Sequence, residues 1–406
     1  MMIAQQIFSS VIESQKNIFE KKLVGVPREI LDKIPNASGF ASIITGLRRS
    51  GKSTIQLQFK NEYFPNEGLF LNFEDPRLAG IEIKDFERLH NEIVERKSKV
   101  LFFDEIQIVK GWEIYVNQLL REDYYVIITG SNASLLSKEL GTHLTGRHFS
   151  TELFPFSYLE FLAFMEFENN ENSFCEYLKK GGMPDYLRTG IDTYLNNLLD
   201  DILIRDVAIR FGLRDVNSLR QLAVYLISNI GTLVSANSLS GMFGIKSSTT
   251  FLDYFSYFKD VYLIDFVPKF DYSIKKQIRN PQKIYCIDLG IYHQNKITFS
   301  PNDGHILENA VYLHLRRKSK EIYYYQNNGE CDFVVAKNGV PTELYQVCFE
   351  INSMNIDREA NGLFEAMDYF KINNATIITQ NQSDTYTKDN LTINVIPAWQ
   401  WMSIKE

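Results

Sequence analysis

Cysteine is scarce and scattered in this chain. Only Cys175, Cys286, Cys331 and Cys348 occur in 406 residues, with no Cys-x-x-Cys spacing and no His pair beside them. That excludes a zinc knuckle and a disulfide framework, and four free thiols suit a reducing compartment. Proline (11) and glycine (22) are too few for a low-complexity chain, while hydrophobic residues reach 45% and aromatics 13%. A mainly disordered chain is thereby excluded. Long apolar runs are missing as well. The most apolar stretch, LFPFSYLEFLAFMEF (153–167), is interrupted by Glu160 and Glu166, short of the ~20 residues that cross a bilayer. The first residues, MMIAQQIFSSVIESQKNIFEKK, lack a basic segment followed by an apolar core and a small-residue cleavage site. Positive charge is not in excess either. A net charge of -7 argues against a general polyanion-coating role and leaves room only for a local basic face. The expectation is a soluble, cytoplasmic protein with no membrane partner, long enough for two or three domains.

What is present is a strand–helix alternation between residues 42 and 153. SIIT (42–45), LFLNF (69–73), VLFF (100–103) and YVIIT (125–129) are continuous apolar runs, the pattern of strands buried on both faces of a parallel sheet. KSTIQLQFKNEYF, EIKDFERLHNEIVERK and WEIYVNQLLRED lie between them with helical spacing, so an α/β domain with right-handed crossovers is expected. From about 155 to 230 the pattern is helical, with GGMP (181–184) as a breaker and DYLRTGIDTYLNNLLDDILIRDV as one long helix. Residues 232–270 read as a helix from near Ser235, a turn at Gly244, a second helix from Ser247 and a strand from Val261. That is the order of a helix-turn-helix with a wing. The Pro/Lys-containing segment 268–283 reads as a linker. Beyond it come a helix (ENAVYLHLRRK), a strand (EIYYYQ), a hairpin turning at Asn338-Gly339, a helix (DREANGLFEAMDYF) and the strands ATIIT and TINVI.

One motif carries chemistry without a gap. Gly46-Leu47-Arg48-Arg49-Ser50-Gly51-Lys52-Ser53, followed by Thr54, matches G-x-x-x-x-G-K-[ST] between a predicted strand and a predicted helix. Its glycines let backbone N–H groups turn inward around phosphates, and the helix N-terminus adds partial positive charge. Lys52 would neutralise the β- and γ-phosphates and Ser53 would offer its hydroxyl to Mg²⁺. At the tip of VLFFDE, Asp104 is assigned to the magnesium shell and Glu105 to the general base that activates a water. The LFLNF strand lies between the two motifs, which fits the P-loop class that inserts an extra strand there. Ser131, after the fourth strand, is either a γ-phosphate sensor or part of a plain turn. Arg147 is either a charge-stabilising arginine, in cis or from a neighbouring subunit, or an ordinary surface residue. No guanine-type NKxD motif occurs, so ATP is favoured over GTP.

Taken together, GLRRSGKST, NFED, FFDEIQ, ITGSNASLLSKELGTHLTGR, ELFPFSYLEF, GGMPDYL and ILIRDVAIR resemble the AAA-type ATPases with a carboxy-terminal domain of unknown function, relatives of the archaeal and STAND-like P-loop ATPases. The resemblance covers nearly all the chain. It implies a P-loop core over 1–154, a helical lid over 155–204, a winged helix over 205–283 and a restriction-endonuclease-like α/β domain over 284–406. It also implies that Ser131 is the sensor position, Arg147 the arginine of the LTGR motif and GGMP a lid turn near the nucleotide. ATP/ADP and Mg²⁺ are the expected ligands, with a protein partner of unstated identity and a homo-oligomer in view.

The accessory regions are less committed. Residues 205–280 carry 10 Lys/Arg against 6 Asp/Glu, an excess that helps phosphate contact. Yet Phe251, Tyr254, Phe255 and Phe258 recur at helical spacing in the second helix, so inter-domain packing is the favoured reading and DNA contact the alternative. The last region resembles the PD-(D/E)XK nuclease core, with Glu308 on its opening helix and Asp332 in the first hairpin strand. Gln346 and Cys348 stand where an acid and a lysine are needed, and Glu343 falls on the opposite face of the strand. Residues 301–406 hold 9 Lys/Arg and 14 Asp/Glu, which opposes DNA approach. A metal-dependent nuclease is therefore the alternative to the ATPase reading. A non-hydrolysing, nucleotide-dependent regulator is a third reading.

Overall fold

The four apolar runs form β1 (Ala41–Thr45), β2 (Leu69–Asn72), β3 (Val100–Asp104) and β4 (Tyr125–Gly130), and β5 (His148–Glu152) joins them. These strands belong to a computed structural model that describes residues 3–132, 146–245, 247–297 and 302–404. The chain divides into two compact units, 1–154 and 155–406. The first contains one parallel sheet in the order β2-β3-β4-β1-β5. Side chains alternate across it, and both faces are covered. Ile43, Leu71, Leu101, Phe103 and Ile128 bury on one face, and Ile44, Val100, Phe102 and Ile127 on the other with Ile55 and Phe59 of the helix Lys52–Tyr63. This is why the runs are continuously apolar.

Two features of this unit differ from the sequence reading. LFLNF forms the edge strand β2, and the strand lying between β1 and β3 in space is β4. β5 was not foreseen, because HFSTE pairs along β1 with half its side chains in solvent. The N-terminal helix Gln5–Lys21 covers the β2 edge, stacking Phe19 on Phe70 at 4.0 Å between ring centroids. Its Gln15 amide accepts from the Asn72 N–H (2.7 Å) and donates to the Asn72 carbonyl (3.1 Å), closing the open ladder of an edge strand.

The second unit begins with helices Tyr158–Met165 and Glu171–Lys180, each opened by a capping box, Ser157 with Glu160 and Asn170 with Ser173. The single long helix expected after GGMP is interrupted. Pro184–Thr189 stops at Gly190, which is left-handed (φ 63°), and Thr193–Asp201 runs on into a π-helical stretch, Ile202–Ile209. Apolar periodicity continues through both breaks, so spacing alone concealed them.

Helix Val216–Ser228 precedes β6 (Leu233–Val234), the short helix Ala236–Leu239, the helix Ser248–Asp260, β7 (Ile264–Pro268) and β8 (Gln282–Cys286). The last three strands form a sheet in the order β6-β8-β7. The segment 268–283 is therefore no linker. It is the β7–β8 connection, contains a helix at Ile274–Arg279 and ends inside β8, so a boundary at 283 would cut a strand. Phe251, Tyr254, Phe255 and Phe258 are buried, as packing residues would be. A six-stranded mixed sheet follows, ordered β13-β14-β12-β11-β10-β9: β9 (Ile322–Gln326), β10 (Glu330–Lys337), β11 (Val340–Val347), β12 (Asn374–Thr379), β13 (Asp384–Lys388) and β14 (Leu391–Pro397). Asn338 and Gly339 both have positive φ (53° and 76°), the geometry a two-residue hairpin turn demands. No helix among the described residues is long and apolar enough to cross a membrane.

Candidate functional site

In the first unit the phosphate-loop motif leaves the C-terminal end of β1 and enters the helix Lys52–Tyr63, at the sheet edge where open α/β folds place ligands. A side chain at Gly46 would bring a Cβ within 2.1 Å of the Leu153 carbonyl oxygen, so only glycine fits. Gly51 caps the helix with φ 100°, again a glycine conformation. Leu47 is buried, Arg48 lies 3.8 Å from Glu74, and Arg49 adopts φ 64°. Thr54 donates its backbone N–H to the Gly51 carbonyl at 3.0 Å. Lys52 is buried and its ammonium donates to the carbonyls of Gly46 (3.0 Å) and Leu47 (2.9 Å). The Ser50 hydroxyl is buried with no hydrogen-bond partner among the described residues. An orphaned polar group costs free energy unless a ligand satisfies it, and a phosphate oxygen is the acceptor such a loop receives.

Strand register assembles the second half of the site. Asn72, Asp104 and Thr129 are neighbours across β2, β3 and β4. The Asp104 carboxylate accepts from the Ser53 hydroxyl (2.8 Å), the Asn72 amide (3.0 Å) and the Thr129 hydroxyl. Ser53 and Asp104 thus stand together as oxygen donors, a set that suits Mg²⁺ completed by water and phosphate oxygens. Asn72 and Thr129 orient the carboxylate from either side. Neither was found from sequence, because pairing register rather than spacing brings them there.

Glu105 follows Asp104 in a left-handed conformation (φ 56°), which turns its side chain away from the strand. Its carboxylate accepts from the Gln107 amide and lies 3.5 Å from the Ser131 hydroxyl. Burial pushes this acid up to about 7; the neighbouring Asp104 charge adds to the rise and Lys52 opposes it. A carboxyl balanced near neutrality is suited to accept a proton. Arg28, also missed, is buried behind the loop and donates to the carbonyls of Ser50 (2.9 Å) and Phe154 (2.6 Å).

Arg147 is not part of this cluster. It is exposed and precedes β5, whose His148 pairs with Ala41 at the start of β1. Four strand steps separate that end from Thr45, roughly 13 Å at ~3.3 Å per residue. An in-cis role beside the phosphate loop is therefore corrected. The part of the LTGR-containing motif over 133–145 lies outside the described residues.

In the second unit, Glu308 on the helix Asp303–Arg316, Asp332 on β10 and Gln346 on β11 are brought together. Cys348 lies just past β11 and its thiol donates to the Glu350 carbonyl at 3.2 Å. Glu343 is exposed on the other side of the strand. A lysine from the supposed linker joins this group, though not at the position of Cys348. Lys283 on β8 is buried and lies 3.1 Å from Glu308, 2.7 Å from Asp332 and 3.0 Å from Glu330. Burial alone would lower its pKa, but the three carboxylates outweigh it and hold the ammonium charged. These groups line an open cavity of about 940 Å³.

A family profile for an AAA domain matches residues 38–162, and a domain of unknown function (DUF8612) matches residues 171–300. The chain is 34% identical to Uncharacterized protein MJ1544 of Methanocaldococcus jannaschii, over 97% of this chain and 95% of that relative. It is 28% identical to an uncharacterized protein of Haemophilus influenzae, over 89% of this chain and 94% of that one. Among solved structures, AMPPCP-bound DnaA from Aquifex aeolicus covers 61% of this chain and 88% of its own, with 13% identity and a TM-score of 0.28.

Proposed function

The chain carries an AAA domain and belongs to one family with its uncharacterized M. jannaschii relative, and from that premise we propose that it binds ATP with Mg²⁺ and hydrolyses it to ADP and phosphate. The observation that carries the reading is the convergence of Lys52, Ser53, Asp104, Glu105 and Ser131 at one sheet edge, around a loop whose Ser50 hydroxyl has no hydrogen-bond partner among the described residues. Loop N–H groups and Lys52 bind the phosphates, exchanging the Gly46 and Leu47 carbonyls for phosphate oxygens. Ser53 and Asp104 would hold Mg²⁺, whose chemistry is to offset charge on the β- and γ-phosphates. Glu105 takes the proton of the attacking water as the bond between the γ-phosphorus and the bridging oxygen breaks. Ser131 orients that carboxylate or meets the γ-phosphate.

We read residues 155–204 as a lid. The order helix, strand, helix, helix and hairpin over 216–286 supports a winged helix, and the remainder a nuclease-like fold. These regions pass nucleotide state to a protein partner. Contact with DNA is the secondary reading, since the aromatics of the helix Ser248–Asp260 are buried. Glu105→Gln tests the central reading. It keeps the shape and loses the base, so MgATP should still bind while turnover drops about 10²-fold or more. Unchanged hydrolysis in that variant would move the base elsewhere.

A further inference from the structure

The nuclease-like resemblance implies a divalent cation held by Glu308, Asp332 and the residue at 346. The residues present do not fit one. A lysine ammonium has N–H donors and no acceptor, and Lys283 donates to Glu308 (3.1 Å) and Asp332 (2.7 Å) and ion-pairs with Glu330 at 3.0 Å. The same Glu308 oxygen accepts from the Tyr285 hydroxyl at 2.6 Å, and the second Asp332 oxygen accepts from the Val347 N–H at 2.8 Å. Gln346 is committed too. Its oxygen accepts from the Asp332 N–H (3.1 Å) and its amide donates to Glu359 (2.8 Å).

We infer that Lys283 is a resident cation: its ammonium occupies the position a divalent metal would take among Glu308, Asp332 and Glu330, and thereby closes a latent carboxylate metal site. The arrangement explains the residue at 346. With the cluster's positive charge already supplied by one side chain, a further carboxylate at 346 would face Glu359 with no proton between them. A neutral amide joins the two instead. Removing the ammonium leaves three carboxylates whose oxygens need to close in by up to about 1 Å to reach the ~2.1 Å of a hard divalent ion. The chemical class of ligand is thus a hard divalent cation, excluded in the native chain and admitted when Lys283 is lost.

The test titrates Mn²⁺ into the nucleotide-free full chain carrying Ser53→Ala, which silences the cation position of the first unit. Free Mn²⁺ is followed by electron paramagnetic resonance, and thermal melting is recorded in parallel. With Lys283 present, no Mn²⁺ uptake dependent on Asp332 is expected. Lys283→Met should take up about one Mn²⁺ per chain, at least about tenfold more tightly, and melt at a temperature that rises with Mn²⁺. Adding Asp332→Asn should abolish both effects, and adding Gln346→Glu should tighten uptake. If Lys283→Met fails to fold even with Mn²⁺, Lys283→Met/Glu359→Gln has one fewer carboxylate beside the cluster, keeps all three ligand carboxylates and gives the same readout. Mn²⁺ uptake that Asp332→Asn removes while Lys283 is intact would overturn the inference. So would a folded Lys283→Met chain, or the folded double variant, that takes up none. Neither result bears on the ATPase reading, whose cation position is disabled throughout.

Discussion

Burial raises Glu105 to about 7, which fixes the side of neutrality on which the proposed hydrolysis fails. A general base works only when unprotonated, so kcat/KM should be level above pH 7 and fall about tenfold per unit below it. A pH profile of turnover from 5.5 to 8.5 checks this, and a profile flat through 7 would remove Glu105 as the base. Lys52 makes a separate contribution. Lys52→Ala deletes a charge-assisted contact worth about 1.5–3 kcal/mol, so MgATP affinity should fall about ten- to a hundredfold. Calorimetry giving wild-type affinity would reject the phosphate loop. Both residues were legible in the sequence because their motifs are contiguous. Thr129 and Asn72 were not, since each reaches Asp104 only through strand pairing that no local spacing announces.

At the scale of elements, the phosphate loop depends on what lies behind it. Arg28 ties the loop carbonyl of Ser50 to that of Phe154, after the last strand. Arg28→Ala removes two charge-assisted hydrogen bonds from a buried place, and a loss of about 2–4 kcal/mol is expected. Urea unfolding would measure it, and weaker MgATP binding should accompany it. A variant with unaltered midpoint and affinity would make Arg28 a bystander. Arg28 precedes the motif in a stretch without periodicity, and nothing marked it. The parallel strands were readable from their apolar runs, and the hairpin from Asn338-Gly339. β5 was not, being half exposed, and neither were the breaks at Gly190 and in the π-helical stretch, where apolar spacing persists. Lys283 was hidden for a related reason: proline and lysines around it resemble a linker, and only the β6-β8-β7 pairing buries it.

At the scale of the whole molecule, every named phosphate-loop group and all five strands of its sheet fall within residues 1–154. A fragment of those residues should therefore fold and bind MgATP within about tenfold of the full chain, since no loop support is cut. A fragment that stays unfolded would deny that the unit is autonomous. Arg147 precedes β5 at the end away from the phosphate loop, so a role on phosphate would have to be played in another copy. Mixing inactive Arg147→Ala with inactive Glu105→Gln should then restore turnover, and absent rescue would return Arg147 to the surface. Sheet order also bears on how the chain is made. β1 is synthesised first, yet its two neighbours, β4 and β5, come last. On the ribosome the strand that carries the nucleotide loop waits without a partner on either side while β2 and β3 emerge. Nascent chains arrested before residue 125 should therefore retain no nucleotide, and those extending well past 154 should retain it, in one step rather than gradually.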